Sequence, residues 1–270
     1  MKVLAFKIKN YWRIWRANLV NTFQGETAYF GNNWGNLIST VFYTAVQILF
    51  INVLYSRVPS FAGYSKNDMY FVMFVGQAGF YFLWGWSEMN NRLLIEDIKK
   101  GALDFLLVLP VPSLWYVTFR KIPLLTIARD GFPNLILIAA LINWSQLSFT
   151  WFSLVMGVII FILGQIAWSG FNFLLVLPVF WEGESKQIYS LSYALRDTDN
   201  VPWEGYRPVF QFSLSILIPT LILSAIPVSV ILGKSNAWQM LTLAFCVALF
   251  FSLLKIRLWK FALKNYTSAS

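Results

Sequence analysis

Long apolar segments alternate with short charged ones along this sequence. Five stretches contain no Asp, Glu, Lys or Arg, and they cover residues 27–56, 69–87, 131–181, 208–233 and 235–254. A helix of about 20 apolar residues crosses the hydrocarbon of a bilayer, and a charge at its centre costs about 3 kcal/mol on insertion scales. Each stretch therefore predicts at least one membrane-spanning helix.

The third stretch is long enough for two crossings. It runs for 51 residues, and the segment N-W-S-Q at 143–146 is its only polar interruption near the required place. Residues 131–143 are too few to span, so this crossing must begin before Arg129 and Asp130. Those charges either line an internal path or lie at the cytoplasmic end and extend to the headgroups. We predict an all-α membrane protein with six spans, at approximately 33–56, 69–88, 122–143, 150–181, 208–232 and 236–258.

Residues 1–32 are predicted to form a cytoplasmic amphipathic helix in the headgroup plane, followed by a short connection. The six-span domain is predicted at 33–270. At 100° per residue, one side of this helix is apolar and the other is basic. The apolar side holds Leu4, Ile8, Tyr11, Trp15 and Leu19. We expect the membrane-interface residues to be Lys2, Lys9, Trp12, Arg13, Trp15 and Arg16. The cations interrupt any apolar core, so a cleaved signal peptide is not expected.

The composition agrees with a lipid environment and argues against an enzyme. Hydrophobic residues make up 58% of the chain and charged residues 12%, whereas soluble domains carry about 25% charged residues. The chain has no histidine, so it lacks the usual general base and the commonest metal ligand. An intramembrane enzyme is therefore disfavoured, and no metal site is expected.

Lysine and arginine are distributed unevenly among the predicted loops. The N-terminal segment, the second–third loop, the fourth–fifth loop and the C-terminus hold 5, 6, 3 and 4 of them, and the other side holds 3. The positive-inside rule then places both termini in the cytoplasm. The net charge of +9 is explained by this topology, with the lipid bilayer and not nucleic acid as the partner.

Few polar groups lie within the predicted spans. Gln47, Gln77, Gln165 and Asn172 are candidates for a translocation path, and the competing interpretation is that each forms a hydrogen bond between helices. A phosphate-binding loop is not present at Gly233-Lys234-Ser235, because the glycine that the motif needs five residues earlier is Val228. Any ATP-driven function must therefore use an ATPase on another chain.

The second–third loop contains a short amphipathic helix, predicted from Arg92 to Lys100 and ended by Gly101. Such a helix either docks a cytoplasmic partner or is an ordinary surface helix. The segment I-K-K-G-A-L-D-F-L-L-V-L-P-V at 98–111 resembles the region after the second span in type-two (ABC-2-type) permeases of ATP-binding-cassette exporters, in a six-span bacterial subfamily. Residues 201–219 and 259–270 are similar to that family's entry into the fifth span and its C-terminal tail.

The resemblance implies a permease subunit that exports a hydrophobic or amphipathic compound, such as a drug, lipid or glycolipid, across the bacterial inner membrane. It implies a cytoplasmic ATPase subunit that binds ATP and Mg²⁺, no cofactor in this chain, and a second permease copy or a paralogue. The residues that couple to the ATPase would be Arg92, Glu96, Asp97, Ile98, Lys99, Lys100, Gly101, Leu103 and Asp104. An ATP-independent carrier or channel, or a membrane scaffold or sensor, is the alternative.

Overall fold

The computed structural model describes residues 2–28, 34–182 and 194–266, and within them the regular structure is helical. Helix α1 spans Lys2–Ala28 and α2 spans Trp34–Arg57. Helix α3, Lys66–Leu83, continues through a π-helical turn at Trp84–Glu88 into α4, Met89–Lys99. The other helices are α5 (Leu103–Leu107), α6 (Ser113–Phe119), α7 (Leu124–Leu141), α8 (Trp151–Val176), α9 (Val179–Glu182), α10 (Pro208–Phe212), α11 (Ala225–Ile231) and α12 (Ala237–Asn265).

The long helices run between two ends of the molecule. At one end, the indole of Trp259 donates a hydrogen bond to Ser113 Oγ over 3.1 Å, which joins α12 to α6. At the other end, Asn143 N donates to Asn67 Oδ1 over 2.7 Å, which joins the end of α7 to the start of α3. We name the first the basic end, because it holds α1, α4–α6 and the lysine-rich last part of α12. The second is the opposite end.

Four helical segments in the described ranges are long and apolar enough to cross a membrane. They are Trp34–Arg57, Ser113–Leu141, Trp151–Trp181 and Ala237–Asn265. These segments match the first, third, fourth and sixth predicted spans. The all-helical fold class and the existence of several membrane-spanning helices are thus confirmed.

Helix α3, the second predicted span, lies in the interior and is largely buried. Its first turn is polar, since Ser65 N donates to Asp68 Oδ2 over 3.0 Å and Asp68 N donates to Ser65 Oγ over 3.2 Å. This reciprocal pair satisfies the free amides at the helix start. Small residues permit close packing farther along, as at Gly79, where an added Cβ would lie 2.9 Å from Gln165 Nε2. The buried position makes α3 the central helix.

The fifth predicted span, 208–232, is not a single crossing helix in the structure. Helix α10 continues into a π-helical turn at Ser213–Leu217 and then stops. The chain turns back at 218–224, where Leu221 N donates to Leu214 O over 3.0 Å, and α11 follows. We name residues 208–231 the re-entrant hairpin.

Both limbs of the re-entrant hairpin meet the opposite end. Just before it, Glu204 accepts hydrogen bonds from Ser235 Oγ over 2.9 Å and from the Tyr64 hydroxyl over 2.7 Å. Just after it, Lys234 Nζ donates to Gly63 O over 2.7 Å. Burial raises the pKa of Tyr64, and the hydrogen bond to Glu204 adds to the rise. These contacts hold the entry and exit of the hairpin side by side.

The tip of the hairpin reaches the middle of α8. Ile222 is fully buried, and its carbonyl lies so close to Gly164 that a Cβ there would be 2.2 Å away. Since α10 and its π turn rise about 1.5 Å per residue, the ten residues at 208–217 reach about half of a 30 Å hydrocarbon layer. Before the hairpin, Trp181 lies at the basic end, where its ring contacts Phe261, and Glu204 lies at the opposite end beside Ser235.

Cysteine labelling distinguishes a hairpin from a crossing. With Cys246 replaced by alanine, Arg207→Cys and Lys234→Cys are expected to react with a membrane-impermeant maleimide from the same side of the membrane. Lys260→Cys, an exposed position near the end of α12, is expected to react from the other side. Labelling of Arg207→Cys and Lys234→Cys from different sides would show that the residues between them cross the membrane as a single span.

Candidate functional site

Helix α4 ends as its sequence predicts. Gly101 has φ of +66°, the left-handed region in which glycine has no steric penalty. Ala102 N donates to Asp97 O over 2.8 Å, and this bond across the glycine closes the helix. The turn directs the chain into α5, so α4, α5 and α6 form a compact element at the basic end.

The predicted coupling residues divide into an exposed set and a buried set. Arg92, Glu96, Lys99 and Lys100 are exposed, and Lys100 Nζ lies 3.5 Å from Glu96 Oε2. Gly101 is half-buried at the turn. The exposed set faces away from the bundle and is open to a partner.

The buried set of coupling residues holds the element onto the bundle. Ile98 and Leu103 belong to an apolar cluster that includes Trp259, and Asp97 forms an ion pair with Arg120. Asp104 faces Tyr266: burial raises the pKa of that phenol, and the nearby carboxylate raises it further. Ile98 and Leu103 are buried and Asp97 and Asp104 are half-buried, and their inward contacts position the exposed surface.

Two exposed apolar residues complete this surface, and the sequence did not single them out. Phe105 is 75% exposed and Val108 is 81% exposed, although both belong to the apolar run L-D-F-L-L-V-L-P. Their neighbours Leu103, Leu106 and Leu107 pack inward. Three-residue spacing along a helix would have predicted that Phe105 and Val108 share one face, but only packing reveals which face is exposed. We name Arg92, Glu96, Lys100, Phe105 and Val108 the docking surface.

Helix α1 packs beside this element at the basic end. The Trp15 indole donates to Phe119 O over 3.1 Å, and Glu26 accepts from Leu125 N and Thr126 N over 3.1 and 2.9 Å. A carboxylate is favourable at the first turn of α7, where backbone amides lack partners. Among the predicted interface residues, Trp12, Arg13 and Arg16 are exposed; the side chains of Lys2 and Lys9 lie outside the described residues.

The predicted path residues Gln47 and Gln77 come together. Gln77 Nε2 donates to Gln47 Oε1 over 3.1 Å, and both side chains line a cavity of about 420 Å³ between α2, α3 and residues 194–200. The cavity lining also includes Ser39, Thr40, Tyr43, Gly76, Phe80, Tyr81, Ala194, Arg196 and Asn200. We name this space the central cavity.

Gln165 and Asn172 lie elsewhere and link helices. Gln165 is fully buried, and its Nε2 lies 3.5 Å from Leu223 O at the hairpin. Asn172 Nδ2 donates to Glu88 Oε1, and Glu88 is 1% exposed in the π-helical turn. Both amides therefore satisfy polar groups inside the bundle, as the interhelical interpretation predicted, and neither lines the central cavity.

Arg129 and Asp130 are buried and paired. Arg129 Nε and Nη2 donate to the two oxygens of Asp130 over 2.6 and 2.8 Å, and their side chains are 5% and 8% exposed. The pairing therefore holds both side chains inside the helical bundle. Asp130 lines a second cavity of about 240 Å³ that shares Ser39, Thr40, Phe80 and Tyr81 with the central cavity.

Arg196 is the cavity residue that the sequence missed. It was counted among the cations of the fourth–fifth loop, but its side chain is buried and its guanidinium carbon lies 4.6 Å from the centroid of the Phe80 ring. Only the fold of residues 194–204 back into the bundle brings it there. Across the described ranges, no group of three or more acidic or cysteine side chains is arranged to hold a metal ion.

Comparison with known proteins identifies a family. A family model described as "ABC-2 family transporter protein" matches residues 41–270, which include α3–α12, the docking surface and the lining of the central cavity except Ser39 and Thr40. Searches of the curated proteins and of the solved structures gave no match. The match covers most of the chain and agrees with a helical bundle that has several membrane-spanning helices. The chain therefore belongs to the ABC-2 family of transporter proteins.

Proposed function

We propose that this chain is the permease subunit of an ATP-driven exporter and that a separate ATPase binds its docking surface. Members of this family normally work with an ATPase partner. The observation that carries the proposal is the docking surface, where Phe105 and Val108 project at 75% and 81% exposure from a firmly packed base. Exposed apolar side chains rimmed by charges are typical of an interface.

Movement of the docking surface has a direct route to the central cavity. Helix α4 continues α3 through the π-helical turn, and the residues on both sides of that turn have α-helical angles. Gln77 and Phe80 of α3 line the central cavity. A partner that shifts α4 when it binds ATP would therefore shift the cavity wall. It can do so only if it binds the shifted and the unshifted position of α4 with different affinity.

The other partners follow from exposed apolar surface. One side of α2 presents Ile38, Phe42, Leu49 and Phe50, each more than 60% exposed. Lipid fits such a surface, and so does a second permease chain, identical or related. We place the chain in a bacterial inner membrane with both termini in the cytoplasm. We propose six crossings in all, with α1 in the headgroup layer.

An ion-coupled carrier is the second candidate, because the buried Asp130 lines a cavity and buried ionisable groups are typical of ion pathways. Its bidentate pairing with Arg129 already compensates this carboxylate within the bundle. Export driven by a partner ATPase remains the better supported function.

Co-purification from native membranes tests the proposal. The tagged chain is expected to retain an ATPase with a nucleotide-binding motif, together with one or two permease chains, and vesicles that contain the complex should transport only with ATP. Transport by the chain alone, driven by an ion gradient, would support the carrier. Loss of a signalling response with unchanged flux would instead support a scaffold or sensor.

A further inference from the structure

We propose that the central cavity binds the negatively charged headgroup of an amphipathic anion, with Arg196 as its main contact. This inference rests on the proposed export function, and it narrows the exported compound to one that carries a phosphate or carboxylate group on an apolar body. The charge of Arg196, the hydrogen-bond donors beside it and the size of the cavity support this assignment.

Arg196 is buried, and none of the side chains that the structure describes offers it a carboxylate partner. Its side chain is 6% exposed, and its Nη1 atom is buried without a hydrogen-bond partner. In the described part of the chain, the guanidinium contacts the Phe80 ring at 4.6 Å but forms no ion pair. A buried cation without an acidic partner is costly, and a bound anion would remove most of that cost.

Two buried carboxylates of the described bundle, Asp130 and Glu88, are already engaged. Asp130 accepts both of its short hydrogen bonds from Arg129, and Glu88 accepts a hydrogen bond from Asn172. Neither is therefore a ready counterion for Arg196. The guanidinium presents a planar set of donors, which suits the oxygens of phosphate and carboxylate groups.

The amide pair beside Arg196 adds a donor. Gln77 Nε2 donates to Gln47 Oε1, and the amide of Gln47 itself carries an NH2 group with two N–H donors. Both side chains line the same cavity as Arg196. An anion held by Arg196 can thus also accept a hydrogen bond from Gln47, and a cationic headgroup would meet repulsion from the guanidinium.

The remaining lining suits an apolar body. Tyr43, Phe80 and Tyr81 supply ring surface, and the volume of about 420 Å³ lies within the range of small-molecule sites, about 300–1,000 Å³. The second cavity, which shares four residues with the first, extends the space towards α7. A free inorganic anion would leave this apolar surface unused, so we expect an amphipathic compound.

Binding to matched amphiphiles tests the inference on the full chain, reconstituted in zwitterionic lipid nanodiscs. Dodecyl phosphate is expected to bind at least about tenfold more tightly than dodecyl maltoside, dodecyltrimethylammonium or inorganic phosphate, measured by calorimetry. Arg196→Gln should lower dodecyl phosphate affinity about tenfold or more, and Arg196→Lys should lower it less. Arg207→Gln, which removes an exposed arginine at the opposite end, is the matched control and should bind as the wild type does.

The comparison of headgroups in the wild type keeps the test valid if Arg196→Gln fails to fold. Equal affinity for the three dodecyl compounds, or equal affinity of wild type and a folded Arg196→Gln, overturns the inference. Inorganic phosphate that binds as tightly as dodecyl phosphate overturns the amphipathic part. The assay uses no ATPase, so selective binding without any co-purifying ATPase would refute the export proposal and leave the anion site standing.

Discussion

Replacing Phe105 by aspartate is expected to prevent co-purification of the ATPase subunit while the permease still inserts and folds. Phe105 is 75% exposed, so the change leaves the packing of the permease nearly intact. A central aromatic anchor of an interface contributes about 2 kcal/mol or more when truncated, which corresponds to at least about 30-fold weaker binding. A buried carboxylate adds a desolvation cost. Val108→Asp should have the same direction of effect.

The control for this prediction is a matched change far from the docking surface. Phe149 is 43% exposed in the loop at the opposite end, and Phe149→Asp introduces the same charge. Pull-down of the ATPase, normalised to permease in the membrane, should fall for Phe105→Asp and remain unchanged for Phe149→Asp. Full retention of the ATPase by Phe105→Asp, with normal thermal unfolding, would refute the proposed docking surface.

Charge reversal within the predicted coupling residues should separate the exposed set from the buried set. Lys100→Glu changes an exposed, partly screened charge, and such rim charges contribute about 0–1 kcal/mol. Asp104→Lys disturbs the contact with Tyr266 inside the bundle, so it should reduce folding before it affects docking. The structure therefore moves the main binding contribution from the charges of α4 to Phe105 and Val108.

The sequence predicted those elements whose signals are local. The end of α4 at Gly101 follows from one residue that favours a positive φ, and the four long spans follow from apolar length. The re-entrant hairpin escaped because a buried hairpin and a crossing helix require the same apolar composition. What separates them is the pairing of Glu204 with Ser235 and Tyr64, and such contacts between distant residues have no local pattern.

The sequence identified the polar residues inside the bundle, but it did not separate those that line the cavity from those that only join helices. Gln77 and Gln47 form a hydrogen bond between α3 and α2 and also line the central cavity, whereas Gln165 and Asn172 form interhelical contacts away from it. Their sequence contexts are alike, since each is a single amide in an apolar helix. Arg196 escaped because residues 182–207 are polar enough to suggest an ordinary loop, and only tertiary structure brings the arginine to Phe80. Burial, which the sequence does not encode position by position, decides between these roles.

Gly164→Ala is expected to lower the thermal unfolding temperature by several degrees and to abolish transport. The new Cβ would lie 2.2 Å from Ile222 O and 2.8 Å from Ile222 C, and backbone atoms at a hairpin tip have no alternative rotamer. Overpacking of a tight core costs about 1–3 kcal/mol. Gly157 is equally close to α11, since a Cβ there would lie 2.2 Å from Ile231 Cγ1. Gly157 and Gly164 are seven residues apart and therefore lie on the same face of α8, which is the face that contacts the hairpin.

The matched control is Gly25→Ala in α1, where an added Cβ meets nothing within 4 Å. Alanine is a better helix former than glycine by about 1 kcal/mol, so Gly25→Ala should leave the unfolding temperature unchanged or raise it. The same propensity gain applies at Gly164, and any loss there must therefore come from contact with the hairpin. Equal unfolding temperatures and equal ATP-dependent transport for Gly164→Ala and Gly25→Ala would mean that the hairpin tip does not rest against α8.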